Sequence, residues 1–148
     1  MARQALGTYD PKDVDVIFNG LIIDGFGPGT FIKVSRNEDA YSFQPSNSGG
    51  GSRSRNPNKS GRVEITLQIG STANASLSAF AVLDEATGQG VGEFLVRDRS
   101  TLAAECSAQN AWIVKIPDWE RAKEVGEATW ILESDEISIG HDGLIQNT

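Results

Sequence analysis

The chain has 148 residues, of which 39% are hydrophobic and 22% charged, and its formal net charge at pH 7 is −7. A chain of this length predicts one globular domain, spanning residues 1–148, with a hydrophobic core of its own. The charge of −7 argues against general affinity for nucleic acid, because gripping phosphates requires a surplus of lysine and arginine.

The N-terminal part of the chain predicts three short strands. Acidic and apolar residues alternate in DVDVIF at residues 13–18, and an apolar run at 21–23 follows Asn19-Gly20. Two β-rich runs separated by Asn-Gly are typical of a β-hairpin. Glycines and a proline then interrupt the pattern before another strand at residues 30–34.

Residues 37–59 predict a long polar loop. They contain two prolines, the triple glycine Gly49-Gly50-Gly51 and many serines and asparagines. A segment this polar buries too little apolar surface to order itself, so we expect it to be mobile in an isolated monomer. Tyr41 and Phe43, two residues apart, indicate that its first part extends a strand outward and that the tip is at 46–58.

The sequence VEITLQI at residues 63–69 alternates apolar and polar residues, which predicts a half-buried strand. A helix is predicted at residues 74–87, since Gly88 stands at the expected position of a terminating glycine. Candidate capping residues are Ser71, Thr72 and Asn74, and the apolar stripe comprises Leu77, Phe80, Ala81 and Leu83.

Strands dominate the C-terminal part of the prediction. They are expected at residues 90–97, along 103–116, and at 128–139 as one strand or a bent pair. Residues 117–127 are expected to form a connection with room for one helical turn. The predicted fold class is therefore mainly β: a β-sandwich or rolled barrel with one flanking α-helix.

Charge is unevenly placed along the chain. Residues 36–62 contain five basic and two acidic residues, a local charge of +3, which leaves −10 for the remainder. After Pro117, two basic residues face eight acidic ones. This division fits either a solvated surface with chance clustering or self-complementarity, in which the basic loop of one copy meets the acidic face of another.

The sequence predicts no catalytic, cofactor-binding or metal site. Residues 48–55 (SGGGSRSR) could cradle an anion, but they lack the Gly-Lys-Ser/Thr ending of a P-loop, and no helix follows. The single cysteine, Cys106, excludes an internal disulfide and is expected to be a small buried residue. The single histidine, His141, beside Asp142, is expected in a surface turn.

The remaining conspicuous residues have simple structural explanations. The acidic residues Glu133, Asp135 and Glu136 are interpreted as solvated charge. Trp112 and Trp130 lie in apolar strand contexts and are expected to be core anchors. Trp119, between two acidic residues, is expected either at an interface or folded over the helix or the end of the barrel.

In this order, the features resemble the tail tube protein of contractile-tailed bacteriophages. The resemblance covers about residues 13–139 and rests on five segments. They are NGLIIDGFGPGTFIKVSR at 19–36, NPNKSGRVEITL at 56–67, STANASL at 71–77, WIVKIP at 112–117 and ATWIL at 128–132. Tubes of this family are similar to those of contractile bacteriocins and of type VI secretion.

This resemblance implies hexameric rings, joined sheet edge to sheet edge, that stack head to tail into a hollow conduit through which a genome passes. The polar loop would reach the neighbouring ring. The inter-ring contact residues implied in this way are Arg53, Arg55, Asn56, Asn58 and Lys59.

A conduit for DNA should not bind DNA, so its lining is expected to be acidic or neutral. The candidates are the polar faces of the predicted strands, and the periodicity alone leaves open which of them faces inward. They are Asp13, Asp15, Glu64, Thr66, Gln68, Glu133 and Asp135.

The partners implied by the resemblance are further copies of the chain, a sheath protein, a tape-measure protein, and baseplate or terminator proteins, with DNA as passing cargo. No apolar run approaches the roughly 20 residues that span a bilayer, and the first residues lack a signal-peptide pattern. We therefore expect a soluble chain, assembled in a host bacterial cytoplasm into a virion tail. The alternatives are a bacteriocin or secretion tube and, in another class, a small β-barrel ligand-binding module or enzyme that uses the Gly-rich loop as a lid.

Overall fold

Strands are the main regular element of the molecule in a computed structural model, which describes residues 10–99 and 103–140. The strands are β1 (Val14–Phe18), β2 (Leu21–Ile23), β3 (Ile32–Arg36), β4 (Tyr41–Pro45), β5 (Gly51–Arg55), β6 (Gly61–Gln68), β7 (Gly92–Asp98), β8 (Ala103–Lys115), β9 (Glu127–Ser134) and β10 (Ser138–Ile139). Helix α1 (Ala73–Thr87) lies between β6 and β7, and a 3₁₀ turn (Pro11–Asp13) precedes β1.

Eight of the strands form one antiparallel sheet in the order β2-β1-β7-β8-β9-β6-β3, with β10 also paired to β8. The segment after β2 connects the two sides of this sheet. The Gly27 amide donates to the Thr66 carbonyl (3.2 Å), and the Gln68 amide donates to the Gly25 carbonyl (2.9 Å). Because β2 is at one edge and β6 is next to the other edge, these bonds roll the sheet. The predicted mainly β fold with one flanking helix is confirmed.

The core fills the inside of the rolled sheet. Alternate residues of β1, β6, β7 and β9 point inward, as period-2 patterning requires. Examples with no exposed surface are Phe18, Val63, Ile65, Leu67, Phe94 and Leu132. Burying an apolar side chain of this size contributes about 1.5–3 kcal/mol relative to leaving it exposed.

Helix α1 packs on this core through Leu77 and Ala81, while the Phe80 ring meets the Phe18 ring edge-on at 5.5 Å between centroids. Gly88 ends the helix in the left-handed conformation (φ 70°), and its amide donates to the Asp84 carbonyl (2.8 Å). Leu83, predicted in the apolar stripe, is 45% exposed, so the stripe is narrower than predicted. Among residues 10–99 and 103–140, no helix is long and apolar enough to cross a membrane.

The predicted Asn-Gly hairpin is confirmed, since Asn19 (φ 50°) and Gly20 (φ 80°) form the turn between β1 and β2. The predicted closing segment is a bent pair of strands. β9 and β10 both pair with β8, and the register is the same on both sides of the bend, where Ser134 faces Ala111 and Ser138 faces Ser107. Residues 135–137 interrupt the pairing where Ile137 turns into the core.

The prediction of a loop without secondary structure at residues 37–59 is wrong. β4 and β5 form a two-stranded antiparallel hairpin, and its tip is confined to residues 46–50 rather than 46–58. Gly49 (φ 91°) and Gly50 (φ 69°) adopt the positive φ angles that the turn requires. The sequence Gly-Ser-Arg-Ser-Arg of β5 lacks apolar residues, so a hydrophobic period could not reveal the strand.

Two further expectations need correction. Trp112 faces Glu133 across β8 and β9, so its half-buried side chain lies on the outward side of the sheet rather than in the core. The alternation of β8 decides this, since the neighbouring Ala111 points inward. Residues 116–126 contain no helical turn, so the turn allowed for in this connection is absent.

Candidate functional site

The β4–β5 hairpin protrudes from the sheet, and every residue in both strands is exposed. Its register pairs Tyr41 with Arg55 and Phe43 with Arg53. Because strand neighbours alternate between faces, these four side chains share one face. The opposite face carries only Ser42, Gln44, Ser52 and Ser54. We call the first the aromatic–arginine face.

The aromatic–arginine face has the composition of a protein interface. The Arg53 guanidinium lies 4.1 Å from the Tyr41 ring centroid, and that of Arg55 lies 5.9 Å away. Phe43 is 64% exposed. Within residues 10–99 and 103–140, neither arginine has an ion-pair partner. Aromatic residues and arginine are enriched at the energetic centres of interfaces, so this face is suited to bind another chain.

The other predicted inter-ring residues lie at the base of the hairpin and interact within the chain. Asn56 and Asn58 donate side-chain hydrogen bonds to Glu38 Oε2 at 2.8 and 3.0 Å. These bonds lower the pKa of the Glu38 carboxyl, because they favour its charged form. The Lys59 ammonium lies 3.9 Å from Glu136.

Part of the predicted charge complementarity is therefore internal. Besides the contact made by Lys59, Arg62 lies 3.3 Å from Glu133, and Arg36 donates two hydrogen bonds to the Ile137 carbonyl. Three of the five basic residues of the 36–62 segment thus contact the chain's own C-terminal part, at Glu133, Glu136 and Ile137. Arg53 and Arg55 are left to face solvent.

Four of the predicted lumen-lining residues lie together on the outward side of β6 and β9. Glu64, Thr66 and Gln68 alternate with the buried residues of β6, and Glu133 is on the adjacent strand. The hydroxyls of Thr66 and Thr129 are 3.2 Å apart across the two strands. We call this surface the β6–β9 outer face.

The other three lumen candidates lie elsewhere. Asp15 is on β1 and forms ion pairs with Arg97 (3.4 Å) and Arg99 (3.5 Å). Asp13 ends the 3₁₀ turn, and Asp135 lies in the bend between β9 and β10. The structure thus does not bring the seven candidates onto one surface.

A cleft that the sequence did not reveal lies between α1 and the segment after β8, with a volume of about 300 Å³. Its lining includes Ile116, Trp119, Asn74 and Ala128. Trp119 is 78% exposed, and the Arg121 guanidinium covers its ring at 4.5 Å from the centroid. The charged lining residues are Asp118, Glu120, Arg121 and Glu127, a net charge of −2. Trp119 between two acids was the only sequence signal for this cleft.

Cys106 lies in β8 and packs against the core, but it is only partly buried, so the prediction of a buried residue is met in part. Burial, and then the nearby charge of Glu105, raises the pKa of its thiol, while a hydrogen bond with the Gly140 backbone opposes this shift. His141 and Asp142 lie outside the described residues. Within the described ranges, no group of three or more His, Cys, Asp or Glu side chains is placed to hold a metal ion.

The raised pKa predicts slow alkylation of Cys106 by iodoacetamide in the folded chain. The native rate should stay below the rate in urea and keep rising with pH after the urea rate has levelled off, because only the thiolate reacts. The same shift makes this thiol's stabilising contribution complete below the unfolded-state pKa and lost as pH rises toward the folded-state pKa. Equal native and unfolded alkylation rates would contradict the burial of this thiol.

No protein-family model and no curated protein matches this chain. Its fold is similar to solved structures. A chain of the anti-feeding prophage tube-terminating cap superposes with a TM-score of 0.55 at 10% identity, covering 97% of this chain and 94% of the other. The sheath/tube terminator of the extracellular contractile injection system PVC gives 0.56 at 9% identity, covering 90% and 97%. A chain of the PVC sheath–tube complex superposes with a TM-score of 0.55 at 11% identity, covering 95% of this chain and 93% of the other.

Proposed function

We propose that this chain is a structural subunit of the tube of a contractile tail, forming hexameric rings that stack into a hollow conduit. The observation that carries the proposal is the similarity of fold over at least 90% of both chains to components of contractile injection systems. The resemblance of the sequence to phage tail tube proteins supports the same role.

The surfaces of the chain also suit repeated self-association. The hairpin makes an interface-like face with no partner among the described residues of its own chain. β2 and β3 end the sheet path, and β3 pairs along its length only with β6 among the described strands. Sheet edges of this kind can pair with neighbouring subunits, and closing them into a ring removes an aggregation hazard.

The β6–β9 outer face is the best candidate for the lining of the conduit. Its charged residues are Arg62, Glu64, Glu127 and Glu133. With Lys33 of the neighbouring strand β3 included, the net charge of this surface is −1. A polar wall with a slight acidic surplus neither grips phosphates nor holds a duplex in place. We therefore propose that DNA passes through the conduit as cargo. The alternative is a bacteriocin or secretion tube, through which no DNA passes.

In this proposal, the chain performs no catalysis and works within a virion tail or a tail-like particle. Its partners are further copies of itself, a sheath protein, a tape-measure protein, and baseplate or terminator proteins. The similarity to chains of sheath–tube and terminator structures supports this class of partner.

Negative-stain electron microscopy of the concentrated pure protein tests the proposal. Hollow tubes are expected for a repeating subunit, whereas single rings that do not lengthen at high concentration would indicate a terminator. Dispersed monomers with ligand-dependent thermal stabilisation would instead support the binding module or enzyme.

A further inference from the structure

We infer that the aromatic–arginine face of the hairpin docks into the Trp119 cleft of a second copy in the next ring. The inference rests on the proposed tube assembly and names the two surfaces that would join its rings. Four observations carry it: the charges of the two surfaces, their apolar contents, their positions in the fold, and the exposure of both.

The two surfaces are complementary in charge. Residues 41–55 contain Arg53 and Arg55 and no acidic residue, a charge of +2. The cleft lining carries −2, from Asp118, Glu120 and Glu127 against Arg121. Opposite charges of this kind orient two chains and exclude wrong registers.

Both surfaces also expose apolar groups that have no other evident role. Phe43 is 64% exposed on the hairpin, and Trp119 is 78% exposed at the cleft. Ile116, also in the cleft lining, is 42% exposed. An aromatic side chain entering a cleft edged by aromatic and charged residues is the usual centre of a specific interface.

The fold places the two surfaces at opposite ends of the same strands. β6 and β9 pair from Gly61 with Ser134 at one end to Gln68 with Glu127 at the other. The hairpin joins the sheet at the first end, where the Asn37 amide donates to the Ser60 carbonyl at 3.0 Å. The cleft lies at the second end, since Glu127 is among its lining residues. At about 3.3 Å per residue, the ends of β6 are roughly 23 Å apart.

This separation excludes docking of the hairpin into the cleft of its own chain, and the charge complementarity of the two surfaces then favours a second copy as the partner. Each hairpin strand has five residues and extends roughly 15 Å, too short to span that distance, and its residues are all exposed rather than folded back. A donor surface at one end and an acceptor at the other generate a head-to-tail interface. Exposed ion pairs are weak singly, but a ring makes as many contacts as it has subunits.

A charge exchange between separately prepared rings tests the inference. The first variant carries Arg53→Glu and Arg55→Glu, and the second carries Asp118→Lys and Glu120→Lys. Each should form rings that do not stack, because like charges then meet. Mixing the two kinds of ring should restore tubes, since each hairpin now meets a cleft of opposite charge. Glu85→Lys with Glu93→Lys, two exposed positions outside both surfaces, is the control for net charge and should still form tubes.

A disulfide trap gives an independent measurement. In a Cys106→Ala background, Phe43→Cys with Trp119→Cys should yield a ladder of cross-linked chains after mild oxidation of assembled tubes with copper phenanthroline. The thiols of one chain are too far apart to pair, because a disulfide requires Cα atoms within about 7 Å. Ser42→Cys with Trp119→Cys, using the other hairpin face, should give little cross-linking.

The outcomes separate this inference from the proposed function. If the wild-type protein forms tubes, each charge-reversed variant also stacks into tubes on its own, and no cross-linked ladder appears, the hairpin does not dock into the cleft. The tube proposal would be unaffected by that result. Absence of rings and tubes in the wild-type protein would overturn the tube proposal itself. Restored stacking in the mixture together with the ladder would establish the contact.

Discussion

Replacing Trp130 with alanine is expected to lower the free energy of unfolding by about 3–5 kcal/mol. Trp130 is 2% exposed, and its indole Nε1 donates to Asn74 Oδ1 at 2.9 Å, which joins β9 to the start of α1. Its removal leaves a cavity and an unpartnered amide oxygen. The loss is a large part of the 5–15 kcal/mol typical of a natural domain.

Urea unfolding of the monomeric chain, followed by far-ultraviolet circular dichroism, measures this effect. The other tryptophans provide matched controls. Trp119→Ala should change the stability by less than about 0.5 kcal/mol, because that side chain is 78% exposed. Trp112→Ala should fall between the two. Trp130→Phe, which keeps most of the apolar area, should lose mainly the hydrogen bond, about 1 kcal/mol. Equal effects at Trp119 and Trp130 would contradict the fold.

Replacing Arg53, Arg55 and Lys59 together by alanine is expected to abolish long tubes while leaving the folded subunit stable. The two arginines face solvent, so their loss should remove attraction between rings. Lys59→Ala alone should have a small effect, because Lys59 already faces Glu136 of its own chain at 3.9 Å. Arg53→Ala with Arg55→Ala should therefore reproduce most of the loss.

Tube length measured by electron microscopy at low and high salt tests this expectation. Wild-type tubes should shorten as salt rises, because the screening length falls from about 10 Å at 0.1 M to about 3 Å at 1 M. The tubes of the triple variant should be short at both salt concentrations. Ser42→Ala, Ser52→Ala and Ser54→Ala, on the other hairpin face, form the control and should leave tube length unchanged. Wild-type tube length in the triple variant at every salt concentration would disprove the contact.

Most strands and the helix could be predicted from local sequence. The alternation in β6 reveals a half-buried strand, and Asn19-Gly20 specifies the first hairpin turn. Gly88 indicates the end of α1 because a left-handed residue there suits glycine. The strand predicted at 30–34 lies two residues later, at Ile32–Arg36, since a short apolar run does not specify its own ends.

The two candidate assembly surfaces were only partly predictable. The basic residues of the hairpin are evident in the sequence, but β5 carries no apolar residue and is recognisable only once it is paired with β4. The cleft depends on α1 lying beside the segment that follows β8, two parts of the chain about 40 residues apart. No local pattern encodes such a distant neighbour.

Local sequence is enough to predict a mainly β chain with one helix, because side-chain periodicity and turn residues act over a few positions. It also determined a basic segment and an acidic segment. The outward position of Trp112 and the core position of Trp130 follow instead from strand register, which depends on pairing between distant parts of the chain. Long-range pairing likewise places Arg62 beside Glu133 and Lys59 beside Glu136, whereas Arg53 and Arg55 have no ion-pair partner among the described residues.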